Sequence, residues 1–231
     1  MKVDIVILSN AKNAELKRIT QQAIDTCLAF ETEIEFNFIV IEQNNQVEYT
    51  GCQVHYDYDD FNYNRSMNKG ISLGEAQYIA LCNNDLIFKE NWCSILIEAM
   101  QKHELLSACP ICPHVQHHRL PLIEEVYFGY RNSHEVSGWC IMINRDILKI
   151  IGKLDEEFPF WFADNVYSEQ LQSHNIKHTI ITKSVVEHLG SKTLNTLQGA
   201  EKNAITHDEM KRFIHRHPKN ESAVYFSKQI K

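Results

Sequence analysis

The stretch Tyr78–Phe88, which reads YIALCNNDLIF, constrains the fold of this chain more than any other. Its first half is a short apolar run, typical of a strand that is buried on both faces in a parallel sheet. The run breaks into Asn83–Asp85, three short polar side chains that end a strand and favour a turn. Ligands of open α/β sheets bind at the carboxyl ends of strands, so Asp85 is well placed to meet a metal or a phosphate-bearing ligand. The same residues are equally consistent with a polar turn before a helix that begins near Glu90.

The rest of the chain alternates predicted strands and helices. Apolar and β-branched runs predict strands at Val3–Leu8, Ile34–Glu42, Val54–Tyr58, Tyr78–Cys82, Leu106–Cys112, Val136–Asn144, Lys177–Thr182 and Val185–His188. Helical spacing predicts helices at Ala14–Phe30, Asn62–Leu73, Glu90–His103, Asp164–Ser173, Ala200–His217 and Ser222–Ile230, with a short one from Asp146 to Gly152. This order predicts an α/β fold with a mainly parallel central sheet flanked by helices. His114–Glu135 shows no clean period, which predicts a long segment that is either a functional loop or disordered.

Composition narrows the class of protein. A formal net charge of −7 disfavours a large non-specific surface for nucleic acid or anionic membranes. No apolar run approaches the roughly 18 residues of a membrane span. The N-terminus enters a strand directly and lacks the basic start and the cleavage site of a signal peptide. The seven cysteines, an odd number, are interpreted as reduced thiols, so we expect a cytoplasmic protein without stable membrane insertion.

Seven stretches, taken in order, carry a family resemblance. They are IVILSN near the start, IVIEQNN, YNRSMNKGI, IALCNNDLIF, GWCIMINRDIL, LDEEFPFWFADN and VVEHLGS. In this order and spacing, which cover Val3–Ser191, the chain resembles the family 2 nucleotide-sugar glycosyltransferases, whose fold is the GT-A (Rossmann-like) fold. The resemblance implies a glycosyltransferase domain over residues 1–199. Residues 200–231 would form a C-terminal helical extension packed on the same domain.

The resemblance implies a divalent metal bound in the turn that follows the predicted strand Tyr78–Cys82. Asp85 matches the family's metal-binding aspartate, which would hold Mn²⁺ or Mg²⁺ against the donor diphosphate. This chain keeps only the last carboxylate of an Asp-any-Asp motif, but substrate phosphates and water can fill the other coordination positions. His188 matches a histidine that approaches the same metal. Read without the resemblance, His188 is a strand-end histidine that packs or hydrogen-bonds locally.

The resemblance also assigns the nucleotide-sugar donor to polar residues at strand ends and on the following helix. A carboxylate at the end of the second predicted strand suits a base N–H or a ribose hydroxyl, and a guanidinium on the helix suits diphosphate oxygens. The alternative for each is a solvated strand end or helix face. The six residues are Ser9, Asn10, Glu42, Arg65, Asn68 and Asn84.

Asp164 is the candidate catalytic base. It matches the carboxylate that, in inverting members, deprotonates the attacking acceptor hydroxyl. Three neighbouring aromatic residues, at positions 160–162, would desolvate the carboxylate and raise its pKa, or stack on a sugar. The chain departs from the family pattern at Ala163 and Val166, where acidic residues are common. If Asp164 is not the base, the candidates are the acidic residues at 155–157. An N-cap role for Asp164 is compatible with catalysis.

A cluster of cysteines and histidines lies outside the resemblance. Cys109 and Cys112 have the two-residue spacing of a zinc knuckle, and histidines precede and follow them at positions 103, 114, 117 and 118. The alternatives are two core thiols beside an exposed His-rich loop, or a loop that shapes an acceptor site.

These features together predict a metal-dependent glycosyltransferase. It would move a sugar from a nucleotide-diphosphate sugar, with UDP-sugar expected, to an acceptor hydroxyl. Other classes stay open: a nucleotidyltransferase, which normally has a glycine-rich phosphate loop that SNAKNAE lacks, or a non-catalytic nucleotide-sugar-binding protein. The acceptor is open as well. The net negative charge of the chain disfavours a nucleic acid as the acceptor. A hydroxymethylated base in phage-type DNA nevertheless stays an alternative acceptor.

Overall fold

The fold is built on a mixed sheet, seen in a computed structural model that describes residues 1–121, 123–190 and 199–228. Its strands are β1 (Lys2–Ser9), β2 (Glu35–Glu42), β3 (Gln53–Tyr56), β4 (Tyr78–Asn83), β5 (Leu86–Phe88), β6 (Ser107–Ile111), β7 (Val126–Phe128), β8 (Cys140–Asn144) and β9 (His178–His188). The helices are α1 (Ala14–Ala29), α2 (Tyr63–Leu73), α3 (Trp92–Lys102), α4 (Pro113–Gln116), α5 (Leu148–Ile151), α6 (Ala163–Ser173), α7 (Gly199–Arg216) and α8 (Glu221–Ser227).

The strand order is β3-β2-β1-β4-β8-β6-β9-β5, with β7 also paired to β9. Strands β3, β2, β1 and β4 run parallel, as do β6 and β9, while β8 lies antiparallel between β4 and β6. The predicted α/β fold with a mainly parallel central sheet is therefore confirmed. In register, Ser9 pairs with Glu42, and Leu8 pairs with Asn83, so the carboxyl ends of β1, β2 and β4 lie side by side.

Helices cover both faces of the sheet, as the alternation along β1 requires. Ile5 and Ile7 belong to a core cluster with residues of α1 and α3. Val6 and Leu8, which point to the opposite face, belong to a second cluster with residues of α2 and α6. The continuous apolar runs of the central strands follow from this burial on both sides.

Three local differences from the predicted elements come from long-range strand pairing. Residues 114–135 contain α4 and β7, and β7 forms because it pairs antiparallel with β9. The two extended segments predicted at the end of the sheet form one strand, β9. Strand β8 begins at Cys140 instead of Val136, and residues 136–139 turn toward the ends of β1 and β4. Tertiary contacts determine such pairings, so local sequence propensity does not predict them.

The C-terminal helices pack beside the start of α6. Phe213 of α7 and Ala223 of α8 form a small apolar cluster with Phe158 and Val166. The division of the chain at residues 199 and 200 stays a prediction, and the predicted end of the last helix at Ile230 lies outside the described residues. Within the described ranges, no helix is long and apolar enough to cross a membrane.

Candidate active site

A cleft of about 390 Å³ opens at the carboxyl ends of β1 and β4. Its walls come from the strand ends, from residues 133–139 before β8, from the aromatic segment before α6, and from the end of β9. Six of the residues predicted to form the site line this one cleft: Ser9, Asn10, Asn84, Asp85, Asp164 and His188. The fold brings them together from four separate parts of the chain, as expected for a ligand site in an open α/β sheet.

Asp85 and His188 form a close pair in this cleft. His188 Nε2 lies 3.2 Å from Asp85 Oδ1, and the two side chains are 16% and 5% exposed. The pair exists because β5 and β9 are antiparallel and Leu86 is directly opposite His188. Trp139 stacks on the His188 ring with centroids 5.7 Å apart, which orients the imidazole. The Leu189 N–H donates to the Asp85 carbonyl oxygen at 2.9 Å and fixes the turn.

In the part of the cleft lining that the structure describes, this pair alone brings a carboxylate into contact with an imidazole. Among the described residues, no group of three or more His, Cys, Asp or Glu side chains converges as a metal site would require. A cation bound here would therefore take two protein ligands and keep its other positions for phosphate oxygens and water, as Mg²⁺ and Mn²⁺ sites do. His188 Nε2 is buried, and its 3.2 Å contact with Asp85 Oδ1 does not have the geometry of a hydrogen bond, which fits an imidazole that serves as a ligand.

A buried hydrogen-bond chain forms the floor beside Ser9. The Tyr49 hydroxyl donates to Glu42 Oε2 at 2.7 Å and lies 2.9 Å from Ser9 Oγ. Ser9 Oγ is 3.1 Å from Thr20 Oγ1, which accepts from Asn84 Nδ2 at 3.0 Å. Burial, followed by the hydrogen bond to Glu42, raises the pKa of Tyr49, so its hydroxyl stays protonated as the donor. The chain links β1, β2, α1 and the turn after β4 into one rigid unit.

Glu42 lies under the site without lining the cleft. It is fully buried, and its Oε1 accepts the N–H groups of Ala11 and Asn44 at 3.0 and 2.9 Å. These bonds hold the loops that follow β1 and β2 against each other. The predicted contact of Glu42 with a base or ribose stays a prediction, since the described hydrogen-bond partners of this carboxylate all lie within the protein. Asn10, by contrast, lines the cleft and donates to Gln43 at 3.0 Å.

Arg65 and Asn68 lie on α2 outside the residues that line the cleft. The Arg65 guanidinium donates to the Asp60 carbonyl oxygen. The Asn68 amide donates to the Leu154 carbonyl at 2.9 Å and accepts from the Leu154 N–H at 3.0 Å. Asn68 therefore ties the segment before α6 to α2, and the predicted donor contacts of both residues stay predictions.

Asp164 lies in the first turn of α6, and its carboxylate faces the cleft. Oδ1 accepts the N–H of Asn165 at 3.0 Å. Burial raises the pKa of Asp164 above that of an ordinary aspartate, although hydrogen bonds from the backbone partly oppose the change. A half-buried carboxylate with a raised pKa is a suitable proton acceptor near neutral pH.

Gly138 makes room for the side chain of Asp164. The sequence pattern predicted a strand at this position and gave Gly138 no role in the site. A Cβ at position 138 would lie 2.8 Å from Asp164 Cβ and 3.1 Å from Oδ2. The Tyr63 hydroxyl donates to the Gly138 carbonyl at 3.0 Å and holds this backbone in place. The glycine in VSGWC was a visible signal, because an isolated glycine inside a strand pattern often marks a close approach.

Helix α7 holds the aromatic segment that leads into α6. The Glu209 carboxylate accepts the N–H groups of Phe160 and Trp161, the latter at 2.6 Å, and the Trp161 indole donates to Thr206 at 3.0 Å. Phe162 has a left-handed backbone, φ 65°, and its ring stacks on Phe213 at 4.3 Å. No local sequence pattern indicates these contacts, since about 50 residues separate the partners.

The cysteines and histidines considered as a zinc motif lie in different environments. Cys109 and Cys112 are fully buried in the core, whereas the histidines at 114, 117 and 118 are mostly exposed. The Cys112 thiol accepts the N–H of His188 at 3.4 Å, so it supports the active-site histidine. All seven cysteines fall within the described residues and are free.

Comparisons with known proteins identify the family and the fold of the chain. Residues 5–152, more than half of the chain, match the family model described as Glycosyl transferase family 2. Among solved structures, the chain is similar to a crystal structure of GalNAc-T7 with UDP, GalNAc and Mn²⁺, with 11% identity and a TM-score of 0.62. The likeness covers 81% of this chain and 44% of GalNAc-T7, so this chain spans less than half the length of that protein. At this identity the likeness shows the fold, GT-A. No curated protein sequence matches.

Proposed function

The chain belongs to glycosyl transferase family 2, and we propose that it transfers a sugar from a nucleoside diphosphate sugar, a UDP-sugar, to an acceptor hydroxyl. One observation carries the proposal: the Asp85–His188 pair and the half-buried Asp164 line the same cleft. A transferase of this kind needs a place for the diphosphate's charge and a base for the acceptor, and the two would sit on opposite walls.

Asp85 and His188 are the proposed ligands of Mn²⁺ or Mg²⁺. The support is the burial of both side chains and their 3.2 Å contact, which does not have the geometry of a hydrogen bond. When bound, the cation would neutralise charge that develops on the leaving diphosphate. GalNAc-T7, which has the same fold, is seen with UDP and Mn²⁺, and this supports the choice of nucleotide and metal.

Asp164 is the proposed base of an inverting reaction. Its carboxylate takes the proton of the acceptor hydroxyl while that oxygen forms a bond to the anomeric carbon. The bond between the anomeric carbon and the diphosphate oxygen breaks, and its electron pair leaves with the nucleoside diphosphate. The raised pKa of Asp164 supports this role, because a stronger base accepts the proton more readily.

The nucleotide is proposed to lie against Ser9, Asn10 and Asn84. These residues line the cleft beside Asp85, and the buried chain from Glu42 to Asn84 keeps their backbone rigid. A preorganised floor lowers the cost of ordering the site when the donor binds.

Calorimetry tests the donor and the metal together. UDP is titrated into the protein with Mn²⁺ and, separately, with excess EDTA, and slow hydrolysis of UDP-glucose without acceptor is followed in the same two buffers. We expect binding and hydrolysis that require the cation. Equal affinity in both buffers removes the metal from the proposal, and absence of binding with a panel of nucleoside diphosphates contradicts the donor class.

A further inference from the structure

A second concave region of about 1050 Å³ adjoins the cleft. We call it the α6–α8 groove; its walls are residues 130–132 and 134, one side of α6, and residues 216–222, 225 and 226 at the junction of α7 and α8. Most of this wall lies beyond residue 152, where the family match ends. The groove is therefore built largely by parts of the chain that family membership does not describe.

The groove and the cleft share their dividing wall. Ser133 lines the cleft, while its neighbours Asn132 and His134 line the groove. At the start of α6, Asp164 lines the cleft and Asn165 lines the groove. A ring contact crosses the same wall, since Phe162 on the cleft side meets Phe226 on the groove side at 5.9 Å. The wall between the groove and the proposed base thus contains residues that are adjacent in the sequence, and a molecule that extends from the groove past this wall would enter the cleft.

Asn132 presents an amide to the groove with its hydrogen-bonding capacity unused. Both its Oδ1 and Nδ2 atoms are buried, and neither has a hydrogen-bond partner in the described structure. Buried polar groups are nearly always hydrogen-bonded, so an amide without partners indicates a ligand that supplies them. An amide both donates and accepts, which matches a pair of neighbouring hydroxyl groups.

Aromatic rings line the same groove as this amide. They belong to Tyr130, Phe226 and Tyr225, the last of which is 59% exposed. The Tyr130 hydroxyl donates to the Ile176 carbonyl at 2.9 Å, so its ring is held in place. Rigid rings offer apolar faces, and the C–H faces of pyranose sugars pack on such surfaces.

Most charges of the groove are paired within the protein, and the other two lining charges, Lys219 and Glu221, have opposite signs. Arg131 pairs with Glu135, and Arg216 pairs with Glu157 at 2.9 Å. His217 lies between Glu169 and Glu157, at 2.6 and 3.2 Å. A groove for a polyanion would keep its cations available for phosphates. Paired charges beside an unused amide and aromatic rings instead favour an uncharged, hydroxyl-rich ligand over a nucleic acid.

We propose that the α6–α8 groove binds a neutral saccharide acceptor and directs one of its hydroxyl groups to Asp164. The inference rests on the proposed transferase function and names the acceptor class of that reaction. Asn132 would hydrogen-bond neighbouring hydroxyls, and Tyr225 would pack on a sugar ring. Both residues lie outside the donor cleft, so their removal should affect the acceptor alone.

The test separates transfer from donor hydrolysis. The probes are maltotriose, chitotriose and the p-nitrophenyl glycosides of glucose, galactose and N-acetylglucosamine, offered with UDP-glucose, UDP-galactose or UDP-N-acetylglucosamine and Mn²⁺. The variants are Asn132→Leu and Tyr225→Ala, and Tyr58→Ala is the matched control, since Tyr58 is an exposed tyrosine that lines neither region. Thermal unfolding checks the fold of each variant.

We expect transfer to at least one saccharide. Its KM should rise about tenfold or more in Asn132→Leu and Tyr225→Ala, the effect of losing one or two direct contacts. Hydrolysis of the donor without acceptor should stay unchanged in both variants, and Tyr58→Ala should behave as wild type.

Two results overturn the proposal while the transferase function stands. One is saccharide transfer with an unchanged acceptor KM in both variants, which removes the groove. The other is donor hydrolysis with no transfer to any saccharide, or transfer only to a peptide or to DNA with hydroxymethylated bases, which removes the acceptor class. Failure to bind any nucleotide overturns both, and the calorimetry identifies that case separately.

Discussion

Asp85 Oδ1 and His188 Nε2 lie 3.2 Å apart because the strand after the Asp85 turn pairs residue by residue with the end of the last strand. The register places Leu86 opposite His188, so the two polar side chains meet at the edge of the cleft. Each residue alone is an ordinary polar strand end. The pairing of β5 with β9 is what makes them a candidate two-ligand cation site.

The first prediction concerns this pair. Asp85→Asn should lower donor affinity and turnover together, each at least about tenfold, because a bound cation contributes several kcal/mol of charge stabilisation. Excess Mn²⁺ should partly restore both. Calorimetry with UDP and initial rates at several Mn²⁺ concentrations measure the effect, with Asp59→Asn, at an exposed aspartate, as the control. Unchanged affinity for UDP in Asp85→Asn would remove this residue from the metal site.

The strand-end residues were predictable because a change from an apolar run to short polar residues marks where a strand ends. The break after the apolar run Tyr78–Cys82 gave Asp85, and the turn after β1 gave Ser9 and Asn10. In a parallel sheet, strand ends share an edge, so their convergence follows from topology alone. The fold class followed from the same alternation of strands and helices.

Side-chain direction was not predictable in the same way. Asn68 faces residue 154 and Glu42 faces the loop after β1, because buried polar groups take the nearest partners that the tertiary structure offers. Glu209 gave no local signal, since its partners are the N–H groups of residues 160 and 161. The strand β7 was also missed, because only its pairing with β9 makes that segment extended.

The second prediction concerns Glu209 as a positioning residue. Its carboxylate, 5% exposed, accepts two backbone N–H groups of the segment that carries Asp164. Glu209→Ala should lower kcat by roughly 10- to 100-fold through misplacement of that segment, with UDP affinity unchanged. Glu209→Gln, which keeps one acceptor oxygen, should restore part of the rate.

Thermal unfolding accompanies these rates. Loss of hydrogen bonds to a charged group costs about 1.5–3 kcal/mol, so Glu209→Ala should unfold at a lower temperature than wild type. A purely structural role would lower stability while leaving the kcat of the folded fraction unchanged, and that result would contradict the prediction.

The third prediction concerns the close approach of Gly138 to Asp164. In Gly138→Ala, the new Cβ would lie 2.8 Å from Asp164 Cβ, so the aspartate must shift. We expect kcat to fall by roughly 10- to 100-fold with little change in UDP affinity. Gly152→Ala is the control: position 152 has φ 75° and no atom within 4 Å of the new Cβ, so that variant should lose stability and keep its kcat. Equal kcat losses in the two variants would mean that general destabilisation explains the effect.

The fourth prediction concerns Asp164 as the base. Asp164→Asn should cut transfer by about 10²–10⁴, the usual contribution of a general base. Affinity for UDP should be unchanged, since the base faces the acceptor and not the diphosphate. This pattern differs from that of Asp85→Asn and so separates a base from a metal ligand. A folded Asp164→Asn variant with near-normal transfer would move the role to the acidic residues at 155–157, or indicate a retaining mechanism.

The fifth prediction follows from the raised pKa of Asp164. Transfer should fall with decreasing pH through that raised pKa, at a higher pH than an ordinary aspartate would give, because only the ionised base accepts a proton.

The stability of the protein should depend on pH in the opposite sense. The native state binds the Asp164 proton more tightly than the unfolded state, so ionisation of Asp164 destabilises the native state at neutral pH. Asp164→Asn should therefore unfold at the same or a higher temperature than wild type at pH 7. That difference should shrink in acid, where the wild-type carboxyl is also neutral. Thermal unfolding of both proteins from pH 4 to pH 8 measures it. A lower unfolding temperature for Asp164→Asn at pH 7 would mean that the hydrogen bond to Asn165 and the helix N-terminus outweigh desolvation at this carboxylate.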